Sequence, residues 1–212
     1  MKNKSDISTM LKEAGILFCI TLIAGLFLGF VYELTKEPRR IQQEKAIQEA
    51  CIAVFPDAEE QGIELRFEDT GYVPDEALTA ELAENKVRIG TVFAAYNGGT
   101  LYGYVVESVS GKGYGGDIVL YVGVGTDGTV NGVSITEISE TAGLGMKAPN
   151  VLTPQFAGKK VESFVYTKNG AAAENEVDAI SSATITTRAV TNAVNGGLRV
   201  ALGLLKGGAV NE

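Results

Sequence analysis

Between Asp178 and Val190 the chain reads DAISSATITTRAV, which crowds Ser181, Ser182, Thr184, Thr186 and Thr187 onto the entrance of a segment with helical periodicity. A helix N-terminus needs acceptors for its unpaired N–H groups, and one hydroxyl is enough, so Ser181 is placed as the N-cap. The remaining hydroxyls call for another reason. The same terminus attracts anions, because free N–H groups and the helix dipole both point at it. With Ser181 as cap, Thr184 falls about one turn inside, and Arg188 follows on the same helical face. Two readings stay open from these residues alone. One is a polar helix start beside a solvated Arg188; the other is a site where a phosphate attached to or resting at Thr184 meets N–H donors, hydroxyls and a guanidinium.

A second unusual stretch is Glu140 to Lys147, ETAGLGMK. Gly143 and Gly145 free the backbone to bend, and Leu144 between them either offers an apolar surface to a flat aromatic ligand or anchors the loop in the core. Two further glycine patterns, Gly111-x-Gly113-x-x-Gly116 and Gly123-x-Gly125-x-x-Gly128, spell the dinucleotide fingerprint. That fingerprint works only between a strand and a helix whose N-terminus receives the pyrophosphate. Here each pattern is followed by a β-like run, so both are read as loop and hairpin glycines.

Composition narrows the chemistry. The 212 residues include no histidine, which removes the commonest general base and metal ligand along with every Ser-His or Cys-His nucleophile. A net charge of −8 argues against nucleic acid as a partner. The two cysteines, Cys19 and Cys51, do not suggest a disulfide or a metal cluster, because Cys19 lies inside an apolar run. No metal site and no self-contained catalytic residue is expected.

That run, AGILFCITLIAGLFLGFVY between Glu13 and Glu33, carries no charge. As a helix it is about 28 Å long, near the roughly 30 Å of a hydrocarbon core, and reads as a transmembrane helix. No small-residue cleavage site follows Tyr32, which favours an uncleaved anchor over a signal peptide. Lys2, Lys4 and Lys12 before it and Lys36, Arg39 and Arg40 after it leave orientation undecided by charge.

The elements that must position the hydroxyl cluster follow. Thr35 to Phe55 has apolar residues at helical spacing and reads as a stalk helix, Ile63 to Glu68 alternates as a strand, and Ala77 to Glu84 forms a short helix. Strands are expected at Thr91 to Tyr96, Leu101 to Val109, Asp117 to Val124 and Val130 to Thr136. Asn97-Gly98-Gly99 and Asp127-Gly128 supply hairpin turns, giving an antiparallel meander. Val161 to Tyr166 is one more candidate strand. The last helix starts near Ser182 and puts Val190, Val194, Leu198, Ala201 and Leu205 on one face, with Gly196-Gly197 weakening it. The fold class is α+β: a single N-terminal transmembrane helix, a stalk helix, and a domain whose antiparallel sheet is packed by helices.

The motifs, taken in order, resemble a known family. Asp178-x-x-Ser181-Ser182-Ala183-Thr184 is similar to the flavinylation motif of covalent FMN-binding domains, and Glu140-Thr141-Ala142-Gly143-Leu144-Gly145 to the Glu-Thr-Pro-Gly-Leu-Gly loop of that family. Gly115-Gly116 and Asp127-x-Thr129-Val130-x-Gly132-Val133 resemble its hairpin. Ser182 stands where glycine is usual and Ala142 where proline is usual. The resemblance, from about Thr91 to Val194 plus the anchor, implies FMN as the cofactor, bound through its phosphate to Thr184. Ser181, Ala183 and Thr187 would shape the phosphate end, Asp178 and Ser182 would belong to the same cofactor-binding set, and Glu140, Thr141, Leu144 and Gly145 would contact the ring or ribityl side, with Lys147 beside the reduced flavin. It implies segments 1–13 as a cytoplasmic N-terminus, 14–34 as the transmembrane helix, 35–86 as stalk and linker, and 87–207 as the covalent FMN-binding domain. Among anchored members the likeness is to the G subunit of Rnf ion-translocating electron-transport complexes, with the C subunit of the Na⁺-translocating NADH:quinone reductase as the near relative. Both imply an electron-relay protein in the cytoplasmic membrane of a prokaryote, with its domain on the extracytoplasmic side. Its partners would be the other subunits of the complex and, for maturation, a flavin transferase. The competing expectations are a flavin-free binding or assembly module and an anchored reductase with its own terminal acceptor.

Overall fold

The computed structural model describes residues 4–207, so Lys2 lies outside the described residues. Helix α1 (Lys4–Ala53) takes in both the expected span and the expected stalk as one helix of 50 residues. Pro38 lies inside it and does not end it. Directly after Pro38, Arg40 reaches Glu37 and Glu44 at 3.1 Å each, the spacing that supports one helical turn on the next. The chain falls into two units, Met1–Ala46 and Ile47–Glu212. In the first, the apolar side chains from Ile16 to Leu34 are exposed, Phe27 at 70% and Leu28 at 71%. This helix is long and apolar enough to cross a membrane.

The second unit takes up the last turns of α1 and continues through α2 (Pro56–Glu60), β1 (Arg66–Asp69), α3 (Glu76–Glu84), β2 (Val87–Asn97), β3 (Thr100–Ser110), β4 (Ile118–Gly125) and β5 (Val130–Glu137). Then come α4 (Ala148–Val151), β6 (Val165–Thr167), β7 (Glu176–Asp178) and α5 (Thr184–Gly207). Strands β1 to β5 pair antiparallel in chain order, the meander that the turn residues predicted. Gly98 and Gly99, both at positive φ, form the two-residue turn between paired Asn97 and Thr100. Neither dinucleotide-like pattern precedes a helix. The first occupies the loop before β4, and the second ends β4 and turns into β5.

Both faces of the sheet are covered, which explains why β4 reads as a nearly unbroken apolar run. On one face lies α5, with Val190, Val194, Leu198 and Ala201 buried and Leu205 half-buried. Gly196 and Gly197 do not interrupt it, because they are its contact points. A Cβ on Gly197 would come within 2.9 Å of Val122, and one on Gly196 within 2.8 Å of Val87. On the other face the end of α1 and α2 bury Cys51, Val54, Phe55 and Ala58 against Ala95, Val105 and Tyr121. Gly123 and Gly132, paired across β4 and β5, form the floor under Val54, where a Cβ would stand 2.6 Å and 3.0 Å from the Val54 carbonyl oxygen. This packing makes residues from Ile47 to Lys86 part of the same unit as the sheet.

The expected strand from Val161 to Tyr166 shortens to β6, which pairs parallel with β7. Just before it, the Phe164 N–H donates to Asn195 Oδ1 at 2.7 Å, and the Phe164 carbonyl accepts from Asn195 Nδ2 at 2.9 Å. An α5 side chain thus takes the place of a strand neighbour, while the Phe164 ring packs edge-on to Phe156 in the core.

The Cys51 thiol is buried, and burial followed by the nearby Glu107 carboxylate pushes it from 9.0 up to about 12. Burial and the same carboxylate raise the Tyr121 phenol. Because the unfolded thiol ionises first, its contribution is complete below pH 9.0 and is lost as pH rises toward about 12. The urea midpoint should fall across that window, and Cys51→Ala should make the fall shallower. Equal slopes in the two proteins would show that the thiol stays unshifted.

Candidate cofactor-binding site

Three segments converge on a cleft of about 510 Å³: the Gly111–Asp117 loop, the loop from Glu140 to Gly145, and the first turn of α5. The helix begins at Thr184 and not at Ser182, because the chain turns first. The Ala183 N–H donates to the Ile180 carbonyl at 3.0 Å, and Ser182 sits at φ +63. With Ser181 at negative φ this is a type II turn, whose third residue prefers glycine. Ala183 therefore occupies the N-cap position and accepts from the Thr187 N–H at 2.9 Å. The expected Ser181 cap is corrected accordingly: Ser181 is an exposed turn residue outside the cleft lining. Left-handed backbone at a residue with a Cβ costs about 1 kcal/mol, so Ser182→Gly should raise stability by roughly 0.5–1 kcal/mol, read as a higher urea midpoint at unchanged slope. A lower midpoint would mean that the serine side chain contributes more than its backbone costs.

The three threonines of the first turn have different surroundings. Thr187 is fully buried; its hydroxyl donates to the Ala183 carbonyl at 3.0 Å and accepts from the Ile180 N–H at 3.1 Å. Thr186, 2% exposed, donates to Glu140 Oε2 at 2.7 Å. Thr184 is half-buried, lines the cleft, and has no partner for its hydroxyl among the described residues. As first residues of the helix, Thr184, Ile185 and Thr186 have N–H groups with no carbonyl one turn earlier to receive them.

Glu140 joins the other two segments to this turn. Its Oε1 accepts from the N–H groups of Tyr114 at 2.7 Å and Gly115 at 3.2 Å, while Oε2 holds Thr186. Close approach dictates the glycines around it. A Cβ on Gly145 would lie 2.5 Å from Thr186 Oγ1 and 2.7 Å from Glu140 Cβ, and one on Gly115 would collide with the Ser139 carbonyl. Thr141, Leu144, Ser182 and Ala183 complete the expected residues that share the cleft. Leu144 is 37% exposed, so it faces the opening and does not anchor the loop.

Asp178, Thr187, Lys147 and Arg188 are not part of the lining. Asp178 ends β7, and its carboxylate accepts from the Ala171 N–H at 2.6 Å, bracing the segment ahead of the turn. The neighbouring Glu176 carboxylate is lowered by the N–H groups of Ala172 and Ala173 that it accepts from. Lys147 and Arg188 are exposed. Conversely, Tyr114, Ile185 and Thr186 line the cleft though none of the three was among the expected cofactor-binding residues. The glycine density around Tyr114 was the available signal, and Ile185 and Thr186 follow from the wrap of a first helical turn.

An FMN molecule fits what these residues provide. A free hydroxyl stands beside unpaired helix N–H groups at one side, and the apolar side chains of Leu144, Ile185 and Tyr114 border the opening, within the volume range of cofactor pockets.

Residues 113–199 match the FMN-binding domain family. The chain is 30% identical over 211 residues to the G subunit of the Na⁺-translocating ferredoxin:NAD⁺ oxidoreductase complex of Acetobacterium woodii, covering 97% of this chain and 98% of that one. It is also 30% identical over 198 residues to the G subunit of the ion-translocating oxidoreductase complex of Aliivibrio fischeri, covering 89% and 88%. Among solved structures, NqrC of Shewanella oneidensis aligns with a TM-score of 0.54 at 21% identity, over 79% of this chain and all of that one. The C subunit of the Na⁺-translocating NADH-quinone reductase from Parabacteroides distasonis aligns with a TM-score of 0.55 at 23% identity, over 80% and 96%. The two structures share the fold, whereas the sequence relatives match nearly end to end, and on that ground the chain belongs to the family of G subunits of ion-translocating oxidoreductase complexes.

Proposed function

We propose that this chain is a membrane-anchored flavoprotein electron carrier, the G subunit of an Rnf-type ferredoxin:NAD⁺ oxidoreductase coupled to Na⁺ or H⁺ translocation, with FMN esterified through its phosphate to Thr184. The observation that carries the reading is the contrast among the threonines. Thr186 and Thr187 are buried and engaged, and Thr184 alone of the three opens unpartnered on the cleft. The flavin supplies electron transfer. The chain's residues bind and orient it: the first turn of α5 presents N–H groups to the phosphate, and Leu144 and Ile185 provide apolar surface. Glu140 fixes the two loops to the helix. A tether at the phosphate replaces a dissociation equilibrium with a constant local concentration.

The apolar part of α1 would hold the domain at the membrane with segment 14–34 as the span, and the domain would stand on the extracytoplasmic side among the other subunits. Near full-length identity to G subunits favours this assignment over the C subunit of the quinone reductase, which is supported by fold alone. Coexpression with a flavin transferase followed by intact-mass measurement tests the proposal. The expected gain equals one esterified FMN, located by fragmentation on the peptide containing Ala183 and Thr184. A bare polypeptide from matured protein would overturn it in favour of a flavin-free module.

A further inference from the structure

Tyr114 is the one aromatic side chain lining the cleft among the described residues, and its role is not explained by phosphate attachment. It is 71% exposed, an unusual state for a large amphipathic ring in a domain that buries Tyr104 and Tyr121 almost completely. Its loop is nonetheless held closely. The Tyr114 N–H is 2.7 Å from Glu140 Oε1, and the Gly115 N–H is 3.2 Å from the same atom. Gly113 and Gly115 on either side have no room for side chains, since a Cβ there would collide with the carbonyl oxygens of Gly116 and Ser139 respectively. The loop therefore presents one ring, and only one, from a backbone fixed to the same carboxylate that binds the start of α5. Leu144 at 37% exposure and Ile185 at 44% stand with it at the opening.

We propose that Tyr114 is a positioning residue for the flavin, packing its phenol ring against the isoalloxazine, with Glu140 fixing the loop that delivers it. The inference rests on FMN occupying this cleft. Offset or edge contacts between aromatic rings are favoured beyond simple area burial. Such contact also orders a ring that the phosphate tether alone would leave free to swing. The apolar partners Leu144 and Ile185 then complete a surface of ring size that solvent enters only partly.

A phenol in contact with an excited flavin quenches its emission by giving it an electron and taking the same electron back, so the contact is readable without turnover. Full-length flavinylated protein, wild type, Tyr114→Leu and Tyr114→Phe, would be compared in detergent for flavin emission and anisotropy, both folded and in denaturant. Tyr114→Leu should show folded-state emission raised several-fold and lowered anisotropy, with emission in denaturant equal to wild type per flavin. Tyr114→Phe should keep the anisotropy, because the ring contact remains, while losing most of the quenching that depends on the phenol. Because the side chain is exposed, neither variant removes core packing. Unchanged emission and anisotropy in Tyr114→Leu, with flavin still attached on a denaturing gel, would overturn the role of Tyr114 and leave attachment standing. Wild-type protein without flavin on that gel would instead overturn the proposed function together with this inference.

Discussion

Thr184→Ala should fold normally and carry no covalent flavin. On a denaturing gel under ultraviolet light its fluorescence should disappear, and its intact mass should be that of the bare polypeptide even after coexpression with a flavin transferase. The expectation is all-or-none because no other threonine of the turn can take over. The Thr187 hydroxyl has no exposure and bridges Ile180 to Ala183, and the Thr186 hydroxyl is given to Glu140. Ser182 is the nearest competing hydroxyl in the chain that lines the cleft, and its side chain departs from a left-handed backbone one turn residue before the N-cap, while Thr141 lines the cleft from the loop that begins at Glu140. Thr184→Ser should restore the fluorescence, since it keeps the oxygen and removes only a methyl. Stability should change by less than about 1 kcal/mol in either variant, because the side chain is half-buried and makes no hydrogen bond to the described residues. Full fluorescence in Thr184→Ala would move the linkage to Ser182, and the double variant would then show it.

The β-meander was legible in the sequence because each of its signals is local. The Asn97-Gly98-Gly99 turn, the apolar run of β4 and the one-sided pattern of α5 all depend on residues within a few positions of one another. The failures have a common origin in contacts between distant parts of the chain. Val161 to Tyr166 has strand composition, yet Asn195 of α5 takes the Phe164 hydrogen bonds that a strand neighbour would have made. Gly123 looks like a turn residue, but its lack of a side chain is explained by Val54, which arrives from the end of α1. At the site, the hydroxyl cluster located the entrance of α5 to within a few residues. It did not show which residue caps, because that depends on Ser182 reversing the chain. Glu140 was expected near the ring or ribityl chain, but its role within the protein, holding two loop N–H groups and one helix hydroxyl, needed the separation of more than forty residues between Glu140 and Thr186 to be closed by folding.

That closure leads to the second large effect. Glu140→Ala should destabilise the domain by about 2–3 kcal/mol and sharply reduce flavin attachment, although residue 140 is not the acceptor. The Tyr114 and Gly115 N–H groups belong to exposed loop positions and can turn to water, so their loss costs little. Thr186 as a residue is only 2% exposed, so its hydroxyl has little access to water when the carboxylate is removed, and a hydrogen bond to a charged acceptor contributes about 1.5–3 kcal/mol. In a domain of this size each kcal/mol lowers the melting temperature by about 2–4 °C. Glu140→Gln should cost less than about 1 kcal/mol, since the amide oxygen can still accept from the loop and its NH₂ can donate to Thr186 Oγ1. Adding Thr186→Val to Glu140→Ala should recover part of the stability by removing the stranded hydroxyl, while flavin attachment stays low because the loops are still detached from the helix. If Glu140 acted by touching the flavin and not by joining the three segments, Glu140→Ala would leave the melting temperature of the flavin-free protein unchanged, and the double variant would be no more stable than the single.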